Sequence, residues 1–188
     1  MGLGLLLVYS RRGDTGETDT PSGKRVTKDT PVIEWEGTLD ELISHIGYSK
    51  VQLPWDDMKR DLSQVQTDLF HMGEEILTSG KGRKLRDEGV SWMEGRIATY
   101  LKEIGEVKLF VIPGGSQEAA VLQLSRAVTR RAERRLVELN IMERVNPLSL
   151  QYINRLSSLI FMMALTANKR RKFTEVLFPW PNPDTQSK

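Results

Sequence analysis

Apolar residues recur along most of this chain at alternating steps of three and four. From Trp55 to Thr78 they fall at Met58, Leu62, Val65, Leu69, Met72 and Ile76, which is the stripe of a helix packed in a bundle. From Asp87 to Ile104 they fall at Val90, Met93, Ile97, Tyr100 or Leu101 and Ile104, and Gly105 is a stop signal. Thr38-Leu39-Asp40-Glu41 fits a capping box. A short first helix is therefore predicted from Thr38, with Leu39, Leu42, Ile43 and Ile46 inward and Gly47 at its end. Ser116 is a good N-cap for a fourth helix running to about Asn140. Asn146-Pro147 opens a fifth, with proline at its first position. Ile153, Leu156, Ile160, Met163 and Ala167 form its inner stripe, and the basic run Lys169 to Lys172 suits its C-terminus.

The rest of the chain lacks such a period. Residues 9–37 are polar and rich in Gly, Thr, Asp and Lys, and read as a long loop with a short extended piece at Val32 to Trp35. Lys108 to Ile112 reads as a short extended connection, and the proline-rich tail from Pro179 is expected to fray. The expected fold is all-α, a five-helix bundle of up-and-down type with a long N-terminal loop. It forms one domain, with a loop region at 1–37, a bundle at 38–178 and a tail at 179–188.

Composition narrows the class. The 188 residues are 39% hydrophobic and 28% charged, enough for one domain with a substantial core. A net charge of +2 argues against a dedicated nucleic-acid binder. The absence of cysteine excludes disulfides and thiolate metal sites. The apolar opening has no basic flank or small-residue cleavage site, so a signal peptide is not expected. No uninterrupted apolar run reaches the roughly 18 residues of a membrane span. The most apolar stretch, Leu148 to Ala167, is broken by Gln151, Asn154 and Arg155. No membrane association is expected, and a cytoplasmic location is.

The candidate chemistry lies in Phe110 to Arg135. A β-branched run stops at Pro113-Gly114-Gly115, and the helix after it carries Arg126, Arg130, Arg131, Arg134 and Arg135. Guanidinium groups suit bidentate pairing with phosphate or carboxylate. Arg126, Arg130 and Arg134 share one face with a drift of about 40° per step. Gln123 and Glu133 fall near that face, and Arg131 and Arg135 fall on another. The plain alternative is a solvated face paired with Glu118, Glu133 and Glu138.

A second candidate is the loop from Ser10 to Thr18. Gly13 and Gly16 allow close backbone approach to an anion. Ser10, Thr15 and Thr18 add hydroxyls, and Arg11, Arg12, Lys24, Arg25 and Lys28 add charge. It is not a Walker A loop. Asp40 reads either as a first-turn helix charge or as a partner for one of the arginines. Asn154, in an apolar stretch, would need a hydrogen-bond partner if it faced inward. His45 and His71 make no spaced metal pair, and no nucleophile motif occurs. An enzyme built from these parts would work by binding and positioning.

Several segments, in order, resemble one family. They are YSRRGDTGET, KRVTKD, EGTLDELISHIG, FVIPGGSQEAAVLQLSRAVTRRAER and VNPLSLQYINRLSSLIF. Together they resemble the PduO-type ATP:cob(I)alamin adenosyltransferases. The resemblance implies a homotrimer with active sites between subunits, and transfer of the 5′-deoxyadenosyl group of ATP to cob(I)alamin. The products would be adenosylcobalamin and triphosphate, with Mg²⁺ accompanying ATP. Cob(I)alamin is itself a strong nucleophile, which fits the lack of a catalytic base. A flavoprotein reductase and a B12-dependent enzyme are implied as further partners.

By the same resemblance, Ser10, Arg12, Gly13, Gly16 and Thr18 form the ATP loop and Lys28 helps hold the triphosphate. Arg126 and Arg130 contact ATP, with Glu133, Arg134 and Asn154 nearby. Asp40 pairs with Arg126 across the subunit interface. Phe110 lies against the corrin and favours a four-coordinate Co(II). The chain departs from the family pattern at Arg12, Ile43, Gln123, Ser158 and Leu165, where Thr, Asn, His, Asp and Arg are usual. These departures motivate the alternative of a non-catalytic nucleotide or cobalamin carrier on the same bundle.

Overall fold

The computed structural model describes residues 10–107 and 110–179. Two short strands, β1 (Glu17–Asp19) and β2 (Arg25–Thr27), precede five helices. The helices are α1 (Pro31–Gln52), α2 (Asp56–Leu77), α3 (Gly89–Ile104), α4 (Gln117–Met142) and α5 (Pro147–Arg170). The all-α bundle expected from the periodicity is therefore present. Helices α2 to α5 lie close to their predicted spans, and Ser116 and Asn146 cap α4 and α5 with their side chains.

Two expectations about the first part of the chain are corrected. Helix α1 starts at Pro31, not Thr38, and runs through Gly47 to Gln52. Pro31 sits in the first turn, where its missing N–H costs nothing. Thr38 forms no capping box, because its hydroxyl donates back to the Glu34 carbonyl at 2.8 Å. Val32 to Trp35 is helical, and Trp35 is fully buried. Gly47 does not end the helix. A Cβ there would lie 3.1 Å from Gln66 Nε2, and that amide donates to the Ile43 carbonyl at 3.2 Å. Glycine thus serves close helix approach, not termination. The preceding loop also holds structure of its own, an antiparallel hairpin pairing Glu17 with Thr27, Thr18 with Val26 and Asp19 with Arg25.

Helix α4 packs against both α1 and α5, α2 flanks α1, and α3 flanks α5. Leu42, Ile46, Leu62, Leu69, Met93, Leu122, Leu156 and Ile160 fill the space between them. A column of buried carboxylates on α2, at Asp61, Asp68 and Glu75, ties this helix to its neighbours. Asp61 accepts from Arg96 Nε at 2.8 Å and Tyr100 Oη at 2.6 Å. Asp68 accepts from Arg86 Nε at 2.9 Å and Tyr152 Oη at 2.8 Å. Glu75 accepts from Asn146 Nδ2 at 3.1 Å. Buried charge is costly unless paired and hydrogen-bonded: Asp61 and Asp68 each meet an arginine, whereas Glu75 is held by neutral donors, Asn146 Nδ2 and Leu85 N. Burial, reinforced by the adjacent carboxylates, raises the Tyr100 and Tyr152 pKa values, so both phenols remain donors.

At the end of α5, Arg170 binds Asp57 at 2.7 Å and Glu103 at 2.7 Å. The chain then returns along the segment that precedes α4. Phe178 N donates to Phe110 O at 2.8 Å, Ile112 N donates to Val176 O at 2.8 Å, and Val111 bridges Leu177. In the connection expected to be extended at 108–112, Val111 and Ile112 are paired, whereas Phe110 takes a left-handed backbone at φ 59°; Lys108 and Leu109 lie outside the described residues, as does the tail from 180 onward. Among the described residues no helix is long and apolar enough to cross a membrane.

Candidate functional site

Helix α4 distributes its arginines between two neighbours. Arg131 pairs with Glu41 on α1. Arg135 reaches Glu34 at 3.5 Å and Glu138 at 2.9 Å. These two follow the plain reading of a charged face satisfied within the chain. Arg126, Arg130 and Arg134 do not, since among the described residues none of them makes an ion pair. The carboxylates that might have neutralised them are engaged elsewhere. Glu118 is taken by Arg171, Glu133 accepts from Asn154 Nδ2 at 2.7 Å, and Glu138 is held by Arg135.

Arg126 is the most constrained of the three. Its Nε donates to Gln123 Oε1 at 2.6 Å, and its guanidinium carbon lies 5.9 Å from the Phe161 ring centroid on α5. Both contacts orient the cation without neutralising it. Burial, and then the adjacent Arg130 charge, lower its pKa, as expected for a cation lacking an anion. A cavity of about 410 Å³ is lined by Pro113, Gly114, Gln123, Leu124 and Arg126. The glycine turn and the oriented arginine therefore face one space. Phe110 stands just before that turn, half-exposed at 50%, on a left-handed backbone with φ 59°.

Asn154 is exposed, so the inward-facing possibility is not realised. Besides Glu133 it engages Arg155, whose Nη1 donates to Asn154 Oδ1 at 2.9 Å.

The N-terminal loop is a closed turn. Gly16, at φ 83°, donates to Gly13 O at 3.2 Å. Lys28 binds both glycines: its backbone N donates to Gly16 O at 2.9 Å, and its Nζ to Gly13 O at 2.9 Å. Ser10 Oγ accepts from Arg12 N at 3.3 Å, and Arg12 Nη2 lies 3.0 Å from Asp19. Thr18 lies within the hairpin. The Lys28 ammonium rests on a neutral carbonyl and is exposed, so its charge is available to an anion.

Asp40 opens elsewhere. It lines a cavity of about 380 Å³ with Glu36, Leu39, Ile43, Phe70 and Gly73, in the groove between α1 and α2. Burial, then the Asp40 charge, raises the Glu36 pKa. Asp40 and Arg126 therefore face different grooves of one chain, and the structure forms no bond between them. Of the positions departing from the family pattern, Ile43 and Leu165 are core residues, Ser158 is exposed, and Gln123 orients Arg126.

The sequence reading missed Phe161 and Asn168. A usable signal existed. Asn154, Phe161 and Asn168 fall at steps of seven on α5, so they share a face. In the structure they meet Glu133, Arg126 and the backbone of Ser116, descending α4.

Known proteins support the assignment this geometry suggests. Residues 8–167 match the family model for cobalamin adenosyltransferase. The chain is 39% identical over 175 residues to the corrinoid adenosyltransferase of Bacillus subtilis (strain 168), covering 90% of each. It is 38% identical over 180 residues to the cobalamin adenosyltransferase of Cupriavidus metallidurans, covering 95% of this chain and 97% of that one. Among solved structures, it resembles a phenylalanine-to-alanine variant of the PduO-type ATP:corrinoid adenosyltransferase from Lactobacillus reuteri, complexed with cobalamin and ATP. The TM-score is 0.87 at 31% identity, covering 93% of this chain and 100% of that one. An arginine-to-lysine variant of that protein, complexed with ATP, gives 0.85 at 33% identity, covering 91% and 99%. The chain belongs to the PduO-type cobalamin adenosyltransferase family.

Proposed function

We infer that this protein transfers the 5′-deoxyadenosyl group of ATP to cob(I)alamin, and that Arg126 and Arg130 hold the triphosphate. The single observation that carries the site assignment is the oriented, partly buried Arg126, which like the neighbouring Arg130 makes no ion pair among the described residues, beside a glycine turn. The cobalt lone pair of cob(I)alamin attacks C5′, the C5′–O bond breaks, and triphosphate leaves with the electron pair. Negative charge grows on the leaving oxygen, and preoriented guanidinium groups stabilise that charge more in the transition state than in the ground state. Gln123 and Phe161 fix Arg126 in advance, so little reorganisation remains for the reacting complex.

Ser10, Arg12, Gly13, Gly16, Thr18 and Lys28 form the other wall of the nucleotide site, with Glu133, Arg134 and Asn154 close to the arginines. This wall holds C5′ in line with cobalt, making the displacement effectively unimolecular. Phe110 presents a flat apolar ring to the lower face of the corrin, excluding water and an axial ligand. That environment favours four-coordinate Co(II), the form a flavoprotein reductase can reduce. Among the described residues no group of three or more His, Cys, Asp or Glu could hold a metal. Mg²⁺ would be brought by the triphosphate, whose oxygens commonly bind it in nucleotide sites. The product adenosylcobalamin is passed to a B12-dependent enzyme.

The complete site needs a second copy of the chain. Asp40 faces the α1–α2 groove and Arg126 the α4–α5 side, so their pairing requires another subunit. Exposed Leu124, Val137 and Ile141 on α4, with Tyr48 and Val51 on α1, supply apolar surface for association. A homotrimer, located in the cytoplasm, satisfies these requirements.

The test is an anaerobic incubation of the protein with MgATP and chemically reduced cobalamin. Adenosylcobalamin and triphosphate should form in equal amounts. ATP binding without adenosylcobalamin would instead identify a non-catalytic carrier.

A further inference from the structure

Asn168, in the last turn of α5, is 3% exposed and spends its side chain on three contacts. Its Oδ1 accepts from Ser116 N, the N-cap of α4, at 2.8 Å. Its Nδ2 donates to Gly114 O at 3.0 Å and to Glu175 Oε1 at 3.0 Å. Gly114 and Glu175 adjoin the two strands of the short ribbon that contains Phe110: one strand is 110–112, the other is 176–178. One amide thus ties both strands of the ribbon, and the start of the arginine helix, to the end of α5.

Other features show how closely this joint is built. A Cβ on Gly115 would lie 2.3–2.6 Å from three atoms of the Asn168 amide group, so only glycine admits that approach. Gly115 also has φ 96°, which disfavours any other residue. Phe110 keeps a left-handed backbone at φ 59°, a conformation that persists in a non-glycine residue only where the surroundings enforce it. Nothing in the adenosyltransferase chemistry itself calls for a buried asparagine here.

We propose that Asn168 is a positioning residue: its amide fixes the Phe110 ribbon relative to the start of α4, and so sets the corrin-facing ring against the triphosphate-holding arginines. This rests on the adenosyltransferase reading. Its one contact on the wall of the Arg126 cavity is the Gly114 carbonyl; Arg126 and the N-terminal loop are not among its contacts, so its loss acts chiefly on the ribbon that carries Phe110.

Asn168→Asp separates the contacts. The carboxylate still accepts from Ser116 N, but it loses both donors and faces Glu175 with like charge. The expected result is an apparent Kd for cob(II)alamin, titrated by absorbance with ATP present, raised about tenfold, the factor for one net hydrogen bond. The Kd for ATP should stay within about twofold of wild type, well inside that same factor. Adding Glu175→Gln to that variant places an amide donor opposite the new carboxylate and should recover the part of the cobalamin affinity carried by the 168–175 link, the Gly114 link remaining lost. Glu175→Ala alone, at a less buried position, should weaken cobalamin in the same direction and serves if Asn168→Asp does not fold. Parallel loss of both ligands, or a lowered melting temperature with both Kd values unchanged, would overturn the proposal. So would absence of the recovery in a folded double variant, or an unchanged cobalamin Kd in Glu175→Ala if Asn168→Asp does not fold. A wild-type protein that binds cobalamin and ATP but makes no adenosylcobalamin would sink the catalytic reading instead, leaving the binding comparison intact.

Discussion

Arg126 donates its Nε hydrogen to the Gln123 side-chain oxygen at 2.6 Å, one turn earlier on the same helix. The acceptor is neutral, so the contact fixes the direction of the guanidinium while leaving its charge for a ligand. Gln123→Ala removes the brace and leaves the cation in place. A hydrogen bond to a charged group contributes about 1.5–3 kcal/mol. Turnover should therefore fall by roughly tenfold to a hundredfold. Steady-state kinetics and a melting curve on one preparation check this. A variant that kept full activity would show that the brace is irrelevant.

Phe110 belongs to the corrin side of the site in this account, and Arg126 and Arg130 to the triphosphate side. Phe110→Ala should keep activity with free cob(I)alamin and lose most of it with cob(II)alamin plus a reductase. Paired assays under the two regimes make the comparison. Equal loss in both would contradict the axial-face role.

The carboxylate column on α2 makes a stability prediction independent of function. Tyr152→Phe deletes one donor to Asp68, a carboxylate with 0% exposure. Leaving a buried acceptor short of one partner costs about 1–3 kcal/mol. Asp68→Ala strands Arg86 and Tyr152 together and should cost about 3–5 kcal/mol, the range for breaking a buried pair. Chemical denaturation would rank the two variants, and a reversed order would contradict the column's role.

Acid should loosen the end of α5 first. Hydrogen bonds from Arg170 hold the Asp57 and Glu103 pKa values below their usual range, and Arg171 does the same for Glu118. A depressed carboxylate contributes stability that is complete above its unfolded pKa, near 3.9 for Asp and 4.3 for Glu. That contribution fades as pH falls through the lower folded value. Arg170→Ala should therefore flatten the stability profile below about pH 4.3. Glu36 has the opposite sign. Its raised pKa, caused by burial and then by Asp40, means stability is lost as pH rises through the folded value. Glu36→Gln should remove that loss, visible as a flatter profile just above pH ~4.3.

Much of this was readable from residue spacing. The stripes of α2, α3 and α5 are strict enough that burial alone sets the element type, and Ser116 and Asn146-Pro147 mark their helix starts by cap chemistry. The start of α1 was not readable. Gly37 and Gly47 argue locally against helix, and burial of Trp35 and the close approach of Gln66 override them. The three-residue strands carry too few side chains to show a period. Spacing separates Arg126, Arg130 and Arg134 from Arg131 and Arg135, but which set finds carboxylates depends on what α1 and α5 present. Asn154 falls outside because Ile153 and Leu156 occupy the core positions around it. Asn168 shares a face with Asn154 and Phe161 by its seven-residue spacing, but its role shows only when Gly114, Ser116 and Glu175 converge on it.

The central claim is that the arginines without carboxylate partners among the described residues form the triphosphate site, and it is tested most directly by comparing turnover in two adjacent variants. Arg130→Ala removes an exposed cation with no ion pair among the described residues. Arg131→Ala removes one that pairs with Glu41, a surface contact worth about 0–1 kcal/mol. With MgATP and cob(I)alamin, Arg130→Ala should lose at least about a hundredfold in turnover, the scale for removing one charge-stabilising donor. Its melting temperature should be unchanged, and Arg131→Ala should keep most activity. Equal activity in the two variants, or greater loss in Arg131→Ala, would contradict the account.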